Sequence, residues 1–305
     1  MMFPDLHTHS LYSDGSETTR YLLTTAVTKG LSHLALTDHD CISGVRELWQ
    51  HLPEAHDSTS TPLLTVLAGV EISCNWNGLE IHVVGLLETP EAPALQTLLG
   101  EQQQRRVERM AAIDSKLAAA GITGLGSALA ALPAAALTRS HAADFLVAQG
   151  HCKNKEKAFK SYLAKRGKAY VAAAWCSLSE AVEAIESAGG IAVLAHPSRY
   201  PLTRRKLAAL LSDFKLAGGE AMEVSYANLD PNAKKRLLEL AAEFDLMHSC
   251  GSDFHTAQAS WTALGKFPKL EPSAIKNAIW QHPKWHLIEQ AGRHVTEASL
   301  AQYPD

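Results

Sequence analysis

The chain is poor in the features that would fix a structure or a partner by composition alone. Its 305 residues include five cysteines, Cys41, Cys74, Cys152, Cys176 and Cys250, an odd number with no C-x-x-C spacing. This excludes a fully paired disulfide frame and a thiolate zinc cluster, and it fits reduced thiols. Basic charge is not in excess. Lys and Arg number 28 against 32 Asp and Glu, for a net charge of −4, so no global positive field is present to hold long duplex DNA. A small basic pocket for a phosphorylated ligand stays open. No apolar run is long enough to span a bilayer, and polar residues begin at Asp5, which argues against a signal peptide. The expected location is the cytoplasm, with no membrane partner. At 46% hydrophobic and 20% charged, the composition is that of an ordinary globular chain, long enough for one large domain or one domain carrying an insertion.

Histidine and carboxylate at strand ends are what the chain does have. Asp5-Leu6-His7-Thr8-His9-Ser10 places two imidazoles at i and i+2, on one face of an extended segment, where they can share one metal ion. Asp14, just beyond, adds a hard oxygen. The same kind of signal recurs at Thr37-Asp38-His39-Asp40, Gly69-Val70-Glu71-Ile72-Ser73, Ile81-His82-Val83, Ala195-His196-Pro197 and Ser252-Asp253-Phe254-His255. Each ends or interrupts an apolar run. One such motif means little, but their repetition points to a metalloenzyme. Of the other histidines, His141 stands in the segment Thr138-Arg139-Ser140-His141, while His33, His51, His56, His151, His248, His282, His286 and His294 lack motif context and are read as structural or surface groups. Asp38 and Asp40 are candidates for orienting imidazoles or for turn and cap roles.

Helices alternate with short apolar strands. Leu22, Leu23, Ala26 and Val27 recur at helical spacing before Gly30, and a strand over His33–Thr37 follows, then a helix over Gly44–His51 and a loop over Pro53–Pro62. Strands Leu63–Ser73 and Leu79–Leu87 flank the hairpin dipeptide Asn77-Gly78. Residues 91–168 carry helical periodicity without a strand and are read as a helical insertion, a lid. The rhythm resumes with a capping box at Ser177 and Glu180, then strands Ile191–Ala195, Ala221–Ser225 and Leu246–Gly251 separated by helices. This alternation predicts a parallel α/β barrel with polar residues at the C-terminal strand ends. The expected organisation is barrel over 1–90, insertion over 91–168, barrel again over 169–290, and a tail over 291–305.

Taken together, the H-x-H, T-D-H-D, G-V-E-I, A-H-P and S-D-x-H segments resemble those of the polymerase and histidinol phosphatase (PHP) family, over residues 3–88 and about 170–260. The resemblance implies a distorted (β/α)7 barrel holding two or three divalent ions. It assigns His7, His9, Glu71 and Asp253 to one ion, and lets Glu71 bridge to a second that also takes His82 and His196. A third ion takes Asp14, His39 and His255. Six imidazoles and three carboxylates without a thiolate suit Mn²⁺, the first choice, and equally Fe²⁺ or Zn²⁺. Asp253 and His255 are the candidate catalytic groups, Asp253 to orient or deprotonate the nucleophile and His255 to assist the leaving oxygen.

Arginines are expected to read the substrate. Arg105 and Arg109 share a helix face beside Arg106, while Arg139 with Ser140 and Arg199 near His196 offer further guanidinium forks. Trp76 is a candidate to stack on a base. Several segments, among them Glu80–Leu86, Thr138-Arg139 and Arg199-Tyr200, resemble the bacterial subgroup of the family that acts on nucleoside 3′,5′-bisphosphates and trims short RNA from the 5′ end. The implied partner is a small phosphorylated nucleotide or a short RNA end. Two readings compete: a phosphatase for another small monoester such as histidinol phosphate, and a non-catalytic metal-binding module serving a polymerase.

Overall fold

A computed structural model describes residues 2–54, 62–259 and 262–303. Most of the loop expected over Pro53–Pro62, with His56, lies outside them. Among the described residues the strands are β1 (Pro4–Asp5), β2 (His33–Leu36), β3 (Leu64–Trp76), β4 (Leu79–Leu87), β5 (Cys176–Ser177), β6 (Ile191–Leu194), β7 (Ala221–Tyr226), β8 (Met247–Gly251) and β9 (Arg293–Val295). The main path runs β1-β2-β3-β4-β6-β7-β8. Beyond its two ends, Leu6 N–H donates to Cys250 O (3.2 Å) and Asp253 N–H to His7 O (2.9 Å), which draws the sheet into a nearly closed barrel. Gly251 makes that closure possible, because a Cβ there would lie 2.4 Å from the Cβ of His7.

Among the described strands the barrel departs from the all-parallel expectation at β4 on the main path and at β9, which runs antiparallel to β3 off it. Asn77 and Gly78 both adopt positive φ (51° and 77°), the backbone of a tight hairpin turn, so β4 runs antiparallel to β3 and to β6. This reversal matters for chemistry. His82 stands near the start of β4, opposite Ser73 and two residues above Glu71, and so joins the end of the barrel where the parallel strands deliver their C-termini. The long β3 also changes partners along its length, meeting β2 and β9 at its foot and β5 near its tip.

Helix Thr19–Thr28 buries Leu22, Leu23 and Ala26 and stops before Gly30, and helix Leu178–Ser187 opens on the expected capping box of Ser177 and Glu180. Inside the barrel, Leu6, Ala35, Leu67, Val84, Leu86, Ile191 and Val193 pack on Ile279, Trp285 and Ile288 from the C-terminal segment, which plugs the barrel's foot. Residues 291–305, set apart above as a tail, include β9 on the foot of β3 and the buried Tyr303, whose hydroxyl meets that of Thr19. No helix among the described residues is long and apolar enough to cross a membrane.

Between β4 and β5 the described chain is helical, with helices Pro93–Ala119, Leu125–Ala130, Arg139–Ala148 and Lys155–Ala158 and a π-helical turn at Phe159–Leu163. Met110, Ile113, Leu117, Leu125, Leu146 and Leu163 build a second apolar core. The helix Pro93–Ala119 joins both cores, since its first turns put Leu95, Leu98 and Leu99 into the barrel's own. Each such Leu contributes about 1.5–3 kcal/mol by burial.

Candidate metal centre

The strand ends deliver their polar side chains to one point, with Glu71 at the centre. Its Oε1 lies 3.3 Å from His7 Nε2, 2.9 Å from His82 Nδ1 and 3.0 Å from His196 Nε2. Its Oε2 lies 3.3 Å from His9 Nε2 and 2.9 Å from His39 Nδ1. Asp253 Oδ1 is 3.2 Å from His9 Nε2 and 3.5 Å from both His7 Nε2 and His255 Nδ1. Asp14 Oδ1 faces His255 Nε2 at 3.3 Å and His39 Nε2 at 3.6 Å. All nine sequence-derived candidate ligands therefore converge. His196, Asp253 and the neighbouring Asp40 hold positive φ (31°, 50° and 47°), a backbone cost of about 1–3 kcal/mol each that clusters at functional sites.

Whether these residues fit cations can be read from their unpaired atoms. Asp14 Oδ1, His39 Nδ1, Glu71 Oε2 and His196 Nδ1 are buried and make no hydrogen bond. His39 Nδ1 and Glu71 Oε2 are close yet misaligned for one, so both aim into shared space. An unsatisfied buried polar atom costs about 1–3 kcal/mol. Asp14 Oδ1, His39 Nδ1 and Glu71 Oε2 face other members of the cluster and are atoms a cation would satisfy, whereas His196 faces Glu71 through Nε2. Three overlapping groups have their donor atoms within 4.8 Å: His9, Asp14, His39 and His255; His7, His9 and Glu71; and His39, Glu71 and His82. The grouping differs from the expected partition, and Asp253 and His196, expected ligands, belong to none of the three groups. His9 also faces the Asp14 group, and the second ring nitrogen of His39 faces Glu71.

Outer hydrogen bonds set two of the tautomers. His7 Nδ1 donates to Glu223 Oε1 (2.8 Å) and His255 Nδ1 donates to the Asp253 carbonyl (3.0 Å), which turns both Nε2 atoms inward as the ones available to an ion. Burial opposes charge on Asp14, Glu71, Asp253, His7, His82 and His255, but the attraction of neighbouring opposite charges outweighs it there. Asp14, Glu71 and Asp253 are held well below the usual carboxylate range by the surrounding imidazoles. Against the same desolvation, the Glu71 carboxylate raises His82 to about 10 and Asp14 raises His255 to about 9, while Glu71 and Glu223 lift His7 well above its ordinary value. Burial and the neighbouring His255 push His9 down to about 3.

Among the residues that support the cluster, Glu223 escapes the motif reading, whereas Asp38 and Asp40 are candidates in it for orienting, turn or cap roles. Glu223, buried in β7, binds His7 and also accepts from the His196 N–H at 2.5 Å. Its local signal is one acid within an otherwise uncharged strand. Asp38 accepts from Ser10 N–H and Oγ and from Ser13 Oγ (2.6–2.8 Å), fixing the loop that leads to Asp14. Asp40 accepts from Arg106 Nε at 2.9 Å and Nη2 at 2.5 Å, and from Ser73 N–H at 2.8 Å. Asp40 is thus a structural anchor for the insertion's long helix.

The substrate side needs correction. Arg105 turns away from the cluster and binds Gln102 and Glu101, because the helix buries the neighbouring face that carries Arg106 and Arg109. Arg106 is buried and committed to Asp40, Ser73 Oγ and Leu137 O, so most of its donors are taken. Trp76 leaves the site altogether, as its indole N–H donates to Asp213 at 2.7 Å on the outer surface. Aromatics at the site include Trp175, beneath the guanidiniums of Arg106 (4.8 Å) and Arg109 (5.3 Å), and Phe159, beneath that of Arg139 (5.8 Å). Arg109 and Arg139 meet Glu80 at 3.6 and 3.2 Å in a cavity of about 260 Å³ that also reaches His39, His82 and His255. Ser140 lines it too, and accepts from Lys155 Nζ. Arg199 donates to Asp253 Oδ2 on the other side of the cluster, in a wider groove of about 1170 Å³.

A family model described as PHP domain matches residues 5–215. A 5′-3′ exoribonuclease of Haemophilus influenzae is 39% identical over 91% of this chain and 97% of its own length. A 3′,5′-nucleoside bisphosphate phosphatase of Chromobacterium violaceum is 34% identical over 94% of this chain and 98% of that protein. Among solved structures, one described as an amidohydrolase from Chromobacterium violaceum with bound sulfate and no metal superposes with a TM-score of 0.81 at 32% identity, covering 97% of this chain and 99% of that one.

Proposed function

The chain belongs to the PHP family, and from that premise we propose that it is a metal-dependent phosphoesterase that removes the 3′-phosphate from nucleoside 3′,5′-bisphosphates and trims short 5′-phosphorylated RNA from its 5′ end. One observation carries this reading. Two cationic loci flank the carboxylate–imidazole cluster, Arg199 beside Asp253 and the pair Arg109 and Arg139 in the smaller cavity. Two phosphates on one ribose suit two such loci. The buried indole N–H of Trp175, without a hydrogen-bond partner among the described residues, is a further donor for a ligand oxygen there.

His7, His9, Asp14, His39, Glu71, His82, His196, Asp253 and His255 would hold two or three divalent ions, Mn²⁺ first among them. When bound, these supply Lewis-acid activation of water and neutralise the phosphoryl oxygens. The chain's own groups do the positioning. Asp253, with its low pKa, is suited to orient a nucleophilic water more than to store a proton. The hydrogen bond from His255 Nδ1 to the Asp253 carbonyl favours ligation over the leaving-group role expected from sequence, since it leaves Nε2 as the atom that would bind an ion once its proton is lost. Arg199 offsets charge on the scissile phosphate, and Arg109 with Arg139 hold the 5′-phosphate by displacing Glu80. Water attacks phosphorus and the P–O3′ bond breaks, the 3′-oxygen leaving with a proton. The same cut on RNA releases a 5′-nucleotide and leaves the phosphate on the next residue, so the shortened chain again presents a 5′-phosphate. Buried free thiols agree with a reducing compartment, and we place the enzyme in the cytoplasm.

Mass analysis of the products from a 5′-phosphorylated dinucleotide with Mn²⁺ tests the reading. Two 5′-monophosphates are expected. A free nucleoside, released beside a nucleoside 3′,5′-bisphosphate when the P–O5′ bond is cut, would refute the assigned bond, and no turnover would favour the non-catalytic alternative.

A further inference from the structure

The insertion does more than cover the substrate. Thr138, at its helix Arg139–Ala148, has a hydroxyl that accepts from Ser140 N–H at 3.1 Å as the helix N-cap and donates to Asp14 Oδ2 at 3.0 Å. Asp14 and Thr138 are 124 residues apart, so this contact spans the barrel and the insertion. It leaves the other oxygen, Oδ1, buried, without a hydrogen bond, and directed at His39 and His255. The surrounding backbone is tied the same way. Tyr12 O accepts from Ala135 and Ala136 N–H (2.8 and 3.0 Å), and His141, whose Nδ1 accepts from Thr138 N–H, donates through Nε2 to Ser13 O at 2.9 Å. On the barrel side Asp38 holds Ser10 and Ser13.

We propose that Thr138 is a positioning residue for one metal ion. Its hydroxyl occupies Asp14 Oδ2 and thereby presents Oδ1 as a single-oxygen ligand to the group of His9, His39 and His255. The inference rests on Asp14 being a ligand. Without the donor, the carboxylate can rotate about its terminal bond, and the ion held by this group becomes the weakest bound. Partners of this outer kind are generally worth about 10–100-fold in metal affinity. Because the contact comes from the insertion, assembly of this ion site and docking of the insertion are linked, each favouring the other.

The experiment is an ion count by elemental analysis and a Mn²⁺ titration by calorimetry on full-length wild type, Thr138→Val, Thr138→Ser, Thr138→Gly and Asp14→Asn. Wild type should bind three ions. Thr138→Val should lose the weakest, with its Kd raised about 10–100-fold and the other two unchanged, and Thr138→Ser should restore it. Glycine is nearly as good an N-cap as threonine, so Thr138→Gly should behave as Thr138→Val if aiming matters, and as wild type if only helix capping does. If Asp14→Asn loses an ion while the Val and Gly variants keep all three at wild-type affinity, Thr138 is not a positioning residue. If wild type binds only two, or Asp14→Asn keeps three, the ligand reading of Asp14 falls and this inference with it.

Discussion

Glu223→Gln would separate the charge behind His7 from its shape. The side chain is 1% exposed, with Oε1 2.8 Å from His7 Nδ1 and Oε2 2.5 Å from the His196 N–H. Glutamine fills the same volume but offers one acceptor where glutamate offers two. Either the His7 Nδ1–H or the His196 N–H must then face an amide NH₂. One buried donor without an acceptor costs about 1–3 kcal/mol. The loss of charge also leaves His7 a weaker ligand, and weakening such an outer partner lowers metal affinity about 10–100-fold. The expected result is a folded protein with urea-unfolding stability lower by about 1–3 kcal/mol and a Mn²⁺ site, measured by calorimetry, weaker by one to two orders of magnitude. Reduced stability with unchanged Mn²⁺ affinity would show that Glu223 only supports the turn at His196. No change in either quantity would refute the hydrogen-bond argument outright.

Further outcomes follow from the same geometry. Glu71→Ala should remove two ions together in elemental analysis, because both carboxylate oxygens face histidines, and loss of one ion alone would contradict a bridge. Ligation requires neutral imidazole, and His82 and His255 titrate near 10 and 9, so ion binding at neutral pH should release protons. Mn²⁺ affinity should then rise from pH 6 to pH 9, and calorimetry in buffers of different ionisation enthalpy should register the release; a flat profile would contradict it. Arg106→Met should leave the buried Asp40 carboxylate unpaired and lower stability by about 3–5 kcal/mol in urea, whereas Arg105→Met should change it by less than about 1 kcal/mol.

The candidate ligands are legible in the sequence because the same His and carboxylate signal recurs at several strand ends and the set resembles a known family's. An H-x-H on an extended segment, or a histidine after an apolar run, has few other places to go in a barrel of this kind. The hairpin at Asn77-Gly78 is legible too, although its consequence, an antiparallel β4 that lifts His82 to the active end, requires the fold. Helical phase explains the failure at Arg105. Spacing pairs it with Arg109, but only packing against Asp40 and Trp175 decides that Arg106 and Arg109 turn inward. Trp76 and Trp175 both stand near turns, and nothing local distinguishes the one bound to Asp213 from the one beneath two arginines. Glu223 and Thr138 act on residues 216 and 124 positions away, contacts that no local pattern encodes.

Recognition of two phosphates on one ribose is measured most directly by comparing kcat/KM for adenosine 3′,5′-bisphosphate and adenosine 3′-monophosphate, in wild type and in Arg139→Ala. A charge-assisted hydrogen bond to the remote phosphate is worth about 1.5–3 kcal/mol, which is about 10–150-fold in kcat/KM. Glu80 already shares Arg139 and Arg109, so the lower part of that range is expected. The bisphosphate should be the better substrate by at least about tenfold, and Arg139→Ala should erase most of the difference while leaving the monophosphate rate nearly unchanged. Equal rates on the two substrates in the wild type would contradict recognition of the 5′-phosphate and leave a general phosphatase as the better description.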